Sequence, residues 1–213
     1  MTLDRSTILG PFPLPAVDDA MRARARKLAG TARWLTFEDP AAPVDQPVAN
    51  TAIQGGYEVT ETGELTGKYK INAFYRPSEQ VAGTPLDTTV DLVLWRVLHG
   101  YNPLGWLVDR LYRAELALYA EQDGDQRLQI ARDAEGLPTL TAFTSPRHLP
   151  KSWAHHQRVP GWTLFDAMAD GPVFLNLNPG TPLSLKIMIR DLALLLTDRS
   201  RQGKNLGAIP FGE

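Results

Sequence analysis

Apolar and polar positions change period several times along this 213-residue chain, and each change marks an element. From Ala16 to Ala29 the pattern is helical, with Asp18 and Asp19 early and Arg22, Arg24, Arg26 and Lys27 late, the order that suits a helix dipole. Those bases read as a solvated helix face rather than as a basic arm for a partner. Trp34-Leu-Thr-Phe37 predicts a short strand ended by Glu38-Asp-Pro40, and a proline-bearing linker follows to about Asn50. Ile53 to Glu61 and Glu64 to Ile71 alternate on either side of Thr62-Gly63, which predicts a β-hairpin. Its apolar residues (Tyr57, Val59, Leu65, Tyr69, Ile71) are too few to fold alone, so the hairpin is expected to lie against the main domain.

Thr88-Thr-Val-Asp91 has the form of a capping box opening a helix to His99, with Gly100 placed to end it. Asn102-Pro103 starts a second helix, whose Leu104, Leu107, Val108 and Leu111 make one buried stripe. Ala114 to Glu121 and Gln126 to Arg132 flank the turn residues Asp123-Gly-Asp125, and the strand from Leu137 follows. Three successive antiparallel strands are expected there. The strand from Leu137 stops at Thr144-Ser-Pro146, and a broken or restarted helix is expected as far as Trp153 to His156. Thr163 to Ala169 predicts a short helix. Pro172 to Leu177 predicts a strand stopping at Asn178-Pro-Gly180, and Thr181-Pro182 opens a last helix to about Thr197. The two strand-to-turn units, about 35 residues apart, read as adjacent strands with helical material crossing between them.

These elements imply an α+β fold: a mixed, mainly antiparallel sheet flanked by helices, with an N-terminal helix and β-hairpin elaboration packed on it. The expected division is a leader over residues 1–87, an α/β domain over 88–197 and a loosely held tail over 198–213. Net charge is −2, from 22 basic and 24 acidic side chains, so no electrostatic footprint for nucleic acid or an anionic membrane is visible. No cysteine is present, which excludes disulfides, thiolate metal sites and cysteine nucleophiles. Met1 to Pro11 has no basic n-region followed by an apolar h-region, and no apolar run reaches membrane-spanning length. A cytoplasmic location without membrane insertion is therefore expected.

Candidate chemistry is sparse. His155 and His156 are neighbours, so on a helix they would point about 100° apart and form no i, i+4 ligand pair. Ser145 stands at a strand-to-helix turn, but Pro146 after it removes the N–H that a nucleophile elbow supplies, so an N-cap role is expected. Asn178-Pro-Gly-Thr181 presents amides at a helix start, yet no glycine-rich phosphate loop accompanies it. These readings leave no catalytic residue, metal or cofactor. What remains is the apolar last helix, with Leu185, Ile189 and Leu196 among its residues. Such a helix is either buried on several sides or exposes a patch for a client protein or a second copy in a homodimer.

Leu137-Pro-Thr-Leu-Thr-Ala-Phe-Thr-Ser-Pro-Arg-His-Leu149 with Trp153, then Phe174-Leu-Asn-Leu-Asn-Pro-Gly180 and the leucine-rich end, resemble the SseB N-terminal-domain family over roughly Asn102 to Thr197. The part before it, with Trp34, Asp39-Pro40, Gly55-Gly-Tyr57, Thr62-Gly63 and Tyr75-Arg-Pro-Ser78, resembles the leader of actinobacterial type VII secretion system-associated proteins. The resemblance implies a non-catalytic accessory or adaptor protein that binds a secretion component or a secreted substrate. An immunity protein that neutralises a polymorphic toxin is the alternative, and an enzyme of unrecognised type comes third. The expected partner-binding residues are Thr144, Ser145, Trp153, Asn178, Gly180, Leu185, Ile189 and Leu196.

Overall fold

The computed structural model describes residues 8–43 and 46–201, and the chain divides into two units. The smaller takes Leu9–Pro85 and Arg96–Asn102. It holds helix α1 (Asp19–Lys27) and strands β1 (Trp34–Glu38), β2 (Ile53–Val59) and β3 (Leu65–Ile71), followed by the short helix α2 (Glu79–Ala82). The Asp18 side chain caps α1 by accepting from the Met21 N–H at 2.8 Å, and Arg24, Arg26 and Lys27 fill the last turn. The hairpin forms as its alternation predicts. Its support within this unit is β1, which completes an antiparallel β1-β2-β3 sheet, and a core in which Met21 and Ala25 of α1 join Leu14, Leu35, Tyr57 and Val59.

Asp39 organises the loops of this unit. Its buried carboxylate accepts the Tyr75 hydroxyl at 2.6 Å and the N–H groups of Ser78 and Ala41 at 2.8 and 2.9 Å. Burial alone would raise its pKa. The donors outweigh that and hold it below the usual carboxylate range, while burial and the Asp39 charge push the Tyr75 hydroxyl up. Arg96, also buried, donates from Nε to the Tyr75 carbonyl and from Nη2 to that of Phe74, both at 2.6 Å, so one loop is held from two sides.

The larger unit takes Leu86–Trp95 and the chain from Pro103 on. Helix α3 (Thr89–Leu98) begins in it, and α4 (Leu104–Arg113), α5 (Gly161–Met168) and α6 (Ile189–Arg201) complete its helices. Its strands are β4 (Glu115–Ala120), β5 (Ile130–Arg132), β6 (Pro138–Phe143), β7 (His155–Pro160), β8 (Phe174–Leu177) and β9 (Leu185–Met188). They form one sheet in the order β7-β4-β6-β8-β9, with β5 paired to β6. The β6–β8 pair is parallel and every other pair is antiparallel. The fold is therefore α+β with a mixed, mainly antiparallel sheet. Register places Leu116, Leu118, Leu140, Ala142, Leu175 and Leu177 on one face, each at most 2 % exposed. Leu107, Val108 and Leu111 of α4, Leu164 and Phe165 of α5 and Leu192 of α6 make up the helical part of the core.

Three local expectations give way to pairing. The strands either side of Asp123-Gly-Asp125 do not form a hairpin: β4 has β7 on one edge and the end of β6 on the other, so β5 pairs with the beginning of β6. His155 to Pro160 is a strand, not a continuation of a helix, because it fills the ladder along β4. The last apolar run is divided. Leu185 to Met188 pairs with β8, and the helix starts only at Ile189. A two-residue period (Leu183, Leu185, Ile187, Ile189) was present in that run. Helix α6 continues to Arg201, so the expected tail lies outside the described residues except at its start.

Gly161 opens α5 where a Cβ would stand 1.7 Å from the Leu111 carbonyl oxygen. Gly161→Ala is expected to lower stability by about 1–3 kcal/mol through forced backbone displacement, read as a lower urea midpoint at unchanged m. Asp39 gives a pH signature. Its folded pKa lies below the unfolded value of about 3.9, so its contribution is complete above that value and drains away as pH falls through the folded one. Asp39→Asn is expected to cost about 1–3 kcal/mol at neutral pH, and the gap from wild type should close in urea titrations repeated toward about pH 2.

Candidate functional site at the ends of strands β6 and β8

β6 and β8 run parallel with Thr139 opposite Phe174 and Ala142 opposite Leu177, so the residues after each strand emerge side by side. The Thr-Ser-Pro and Asn-Pro-Gly turns, expected to be neighbours, are neighbours. In open sheets the crevice beyond the carboxyl ends of parallel strands is where ligands bind. Here it is filled by side chains bonded to one another.

Asn178 continues the ladder by donating its N–H to the Ala142 carbonyl at 2.9 Å, then turns left-handed at φ 45°. Asparagine takes that conformation at less cost than most residues. Its Oδ1 accepts the Thr144 N–H at 2.9 Å and its Nδ2 donates to Thr144 Oγ1 at 2.8 Å. The Thr144 hydroxyl, so engaged as an acceptor, donates to Asp91 Oδ1. Asp91 also closes the capping box of α3: Oδ2 accepts the Thr88 N–H and the Asp91 N–H donates to Thr88 Oγ1, both at 3.0 Å. Asp91 and Asn178 are fully buried. A buried carboxylate is costly unless its oxygens are satisfied. Asp91 meets that condition with one oxygen on each side and the positive end of α3 behind it.

Around this centre the corner opens outward. His148 is buried with Nε2 3.6 Å from Asp91 Oδ1, beyond hydrogen-bond range, and that nitrogen has no hydrogen-bond partner among the described residues. Ser145 caps the 3-10 turn Pro146–His148 as expected, accepting the Arg147 N–H at 3.2 Å and donating to Asp87 Oδ2 at 3.3 Å. Arg147 Nε donates to the same oxygen at 2.7 Å, and its guanidinium holds the Asp87 carboxyl below the usual range. Asp87, Pro146, Arg147 and Gly180 form the exposed rim.

The residues expected to touch a partner therefore separate. Thr144, Ser145, Asn178 and Ile189 are buried and build the corner and core. Trp153 is half-buried, edge-on to Tyr119 and Phe143 with centroids 5.4 and 5.1 Å away. Gly180 is exposed, in a left-handed turn at φ 78°. Leu185 lies opposite Leu177 on β9, and Leu196 is half-buried on α6, where Leu194 is the exposed leucine. His155 and His156 alternate on a strand, and His155 Nδ1 lies 2.8 Å from Asp123 Oδ1. Sequence reasoning reached Asp91 only as a helix cap. Its bond to Thr144, 53 residues on, carries no local signal. Asp87 and the approach of His148 to Asp91 were missed for the same reason.

No family model, curated protein or solved structure matches the chain.

Two substitutions separate the parts played by Asn178. Asn178→Ala loses the side-chain bonds and forces alanine into a left-handed backbone, whereas Asn178→Gly loses only the bonds. Alanine is expected to be the worse by about 1–2 kcal/mol, and glycine alone to cost about 1–3 kcal/mol, measured as urea midpoints.

Proposed function

We propose that this chain is a non-catalytic accessory protein that acts by binding another protein, and that its partner is a component or a secreted substrate of a type VII secretion system. The observation that carries the binding role is the closed bonding of the corner. The Thr144 hydroxyl and the Asn178 amide, at the sheet position best suited to a ligand, are engaged with each other and with Asp91. That arrangement supports a rigid rim of Asp87, Pro146, Arg147 and Gly180, which suits contact better than bond-making. The secretion context is supported by the resemblance of Leu137 to Leu149 and of Phe174 to Gly180 to SseB-like domains.

Affinity capture of the tagged full chain from native lysate tests the reading. The expected outcome is recovery of a secretion ATPase or a small WxG-type substrate, released by excess untagged chain, together with reduced export of that substrate when the gene is deleted. Recovery of a toxin in its place would favour the immunity role. Absence of any protein partner, with a metabolite retained in the purified sample, would overturn both binding roles.

A further inference from the structure

The β1-β2-β3 sheet has two edges, and they differ in how they meet solvent. β3 is exposed along its middle but carries Lys68 and Lys70, with Gly67 left-handed at φ 80° between Thr66 and Lys68. Charged side chains and irregular backbone are devices that keep an edge from pairing with another chain. β1 has less of both: Trp34-Leu-Thr-Phe pairs in regular register, and the one irregularity and the one charge of the strand come at its end, at Phe37/Glu38.

The outward groups of β1 follow from the register. The Val59 N–H donates to the Arg33 carbonyl at 2.8 Å, which makes Arg33 and Val59 a hydrogen-bonded pair. Hydrogen-bonded and non-bonded pairs alternate in an antiparallel ladder. Leu35 and Phe37 therefore direct their backbone groups to β2, while Trp34 and Thr36 direct theirs away from it. Thr36 is exposed. Beside it an open groove of about 560 Å³ runs along β1, lined by Leu28, Ala32 and Phe37, with Arg24 and Glu38 as its charged residues. The Arg24 guanidinium lies 5.9 Å from the centre of the Phe37 ring and forms no ion pair among the described residues.

We infer that this edge is a docking site for an extended, acidic segment of a partner protein, added as a fourth strand beside β1. The inference rests on the binding role proposed above and gives it a mode. An extended backbone satisfies the outward groups of Trp34 and Thr36. Side chains on one face of the added strand reach Leu28 and Phe37, and an Asp or Glu among them meets Arg24. A second copy docking through the same edge would bring its own Arg24 to the groove, a like charge for the first.

Selection from a random display library of peptides about nine residues long, against the full chain, tests this. The expected winners have apolar residues at alternate positions and at least one Asp or Glu. Their binding should slow amide exchange at Trp34 and Thr36 about tenfold or more. Thr36→Pro removes an N–H that points to solvent, a place where a sheet tolerates proline, and should weaken binding by a similar factor at unchanged Tm. Arg24→Glu should shift selection toward Lys- and Arg-containing peptides, and this arm holds even where the proline variant does not fold. No winners, winners that leave the β1 amides unprotected, or a homodimer that Thr36→Pro dissolves would each overturn the inference. A partner captured from lysate equally well by wild type and Thr36→Pro would overturn the docking mode while leaving the binding role intact.

Discussion

The larger unit depends on a single parallel pair in an otherwise antiparallel sheet. Parallel strands cannot be joined by a hairpin, so the chain between β6 and β8 must cross over. It does so through the 3-10 turn Pro146–His148, strand β7 at the edge beside β4, and α5. That detour makes both strands end at the same place, where Thr144 and Asn178 can bond and the Asp91 carboxylate can be satisfied without water. Remove the parallel register and the buried acid at the start of α3 loses one of its two sets of donors.

A buried carboxylate is the main organising device in each unit. Asp39 gathers the Tyr75 hydroxyl and the backbone of Ser78 and Ala41, fixing the loop that leads into α2. Asp91 gathers Thr88 and Thr144, fixing the start of α3 against the ends of two strands. At Asp39 burial opposes ionisation and the directed donors outweigh it, so the charge stays where its neighbours need an acceptor. Such centres are stable only when complete. That is why their oxygens lie inside and the exposed chemistry of the corner is left to Asp87 and Arg147.

The sheet edges are treated unequally. In the six-stranded sheet β7 carries His155, His156, Gln157 and Arg158 and ends at Pro160, while Lys186 of β9 is clasped by Asp133 and Glu135 at 2.6 Å each. Lys186 in turn draws the Asp133 carboxyl down to about 2. In the smaller sheet β3 is edged with lysine and glycine. β1, with a groove and Arg24 alongside, is regular and uncharged from Trp34 to Phe37, and a difference of this kind points to use.

Much of the local structure was legible because it is set by neighbours in sequence. The α1 charge order, the hairpin about Thr62-Gly63, the Thr88-to-Asp91 capping box and the Ser145 cap all follow from residues close to one another in sequence. Strand partners were another matter. His155 to Pro160 and Leu185 to Met188 became strands because β4 and β8 offered free ladders, and β5 went to β6 rather than β4. Thr144, Ser145 and Asn178 were visible as corner residues, but not Asp91 as the acid between them, since no periodicity spans 53 residues. Sequence alone determined which segments turn, cap and bury an apolar stripe, because those choices are made over a few bonds. Tertiary structure decided which edges meet, which acid is enclosed and which edge stays open, because these depend on how distant segments compete for the same hydrogen bonds.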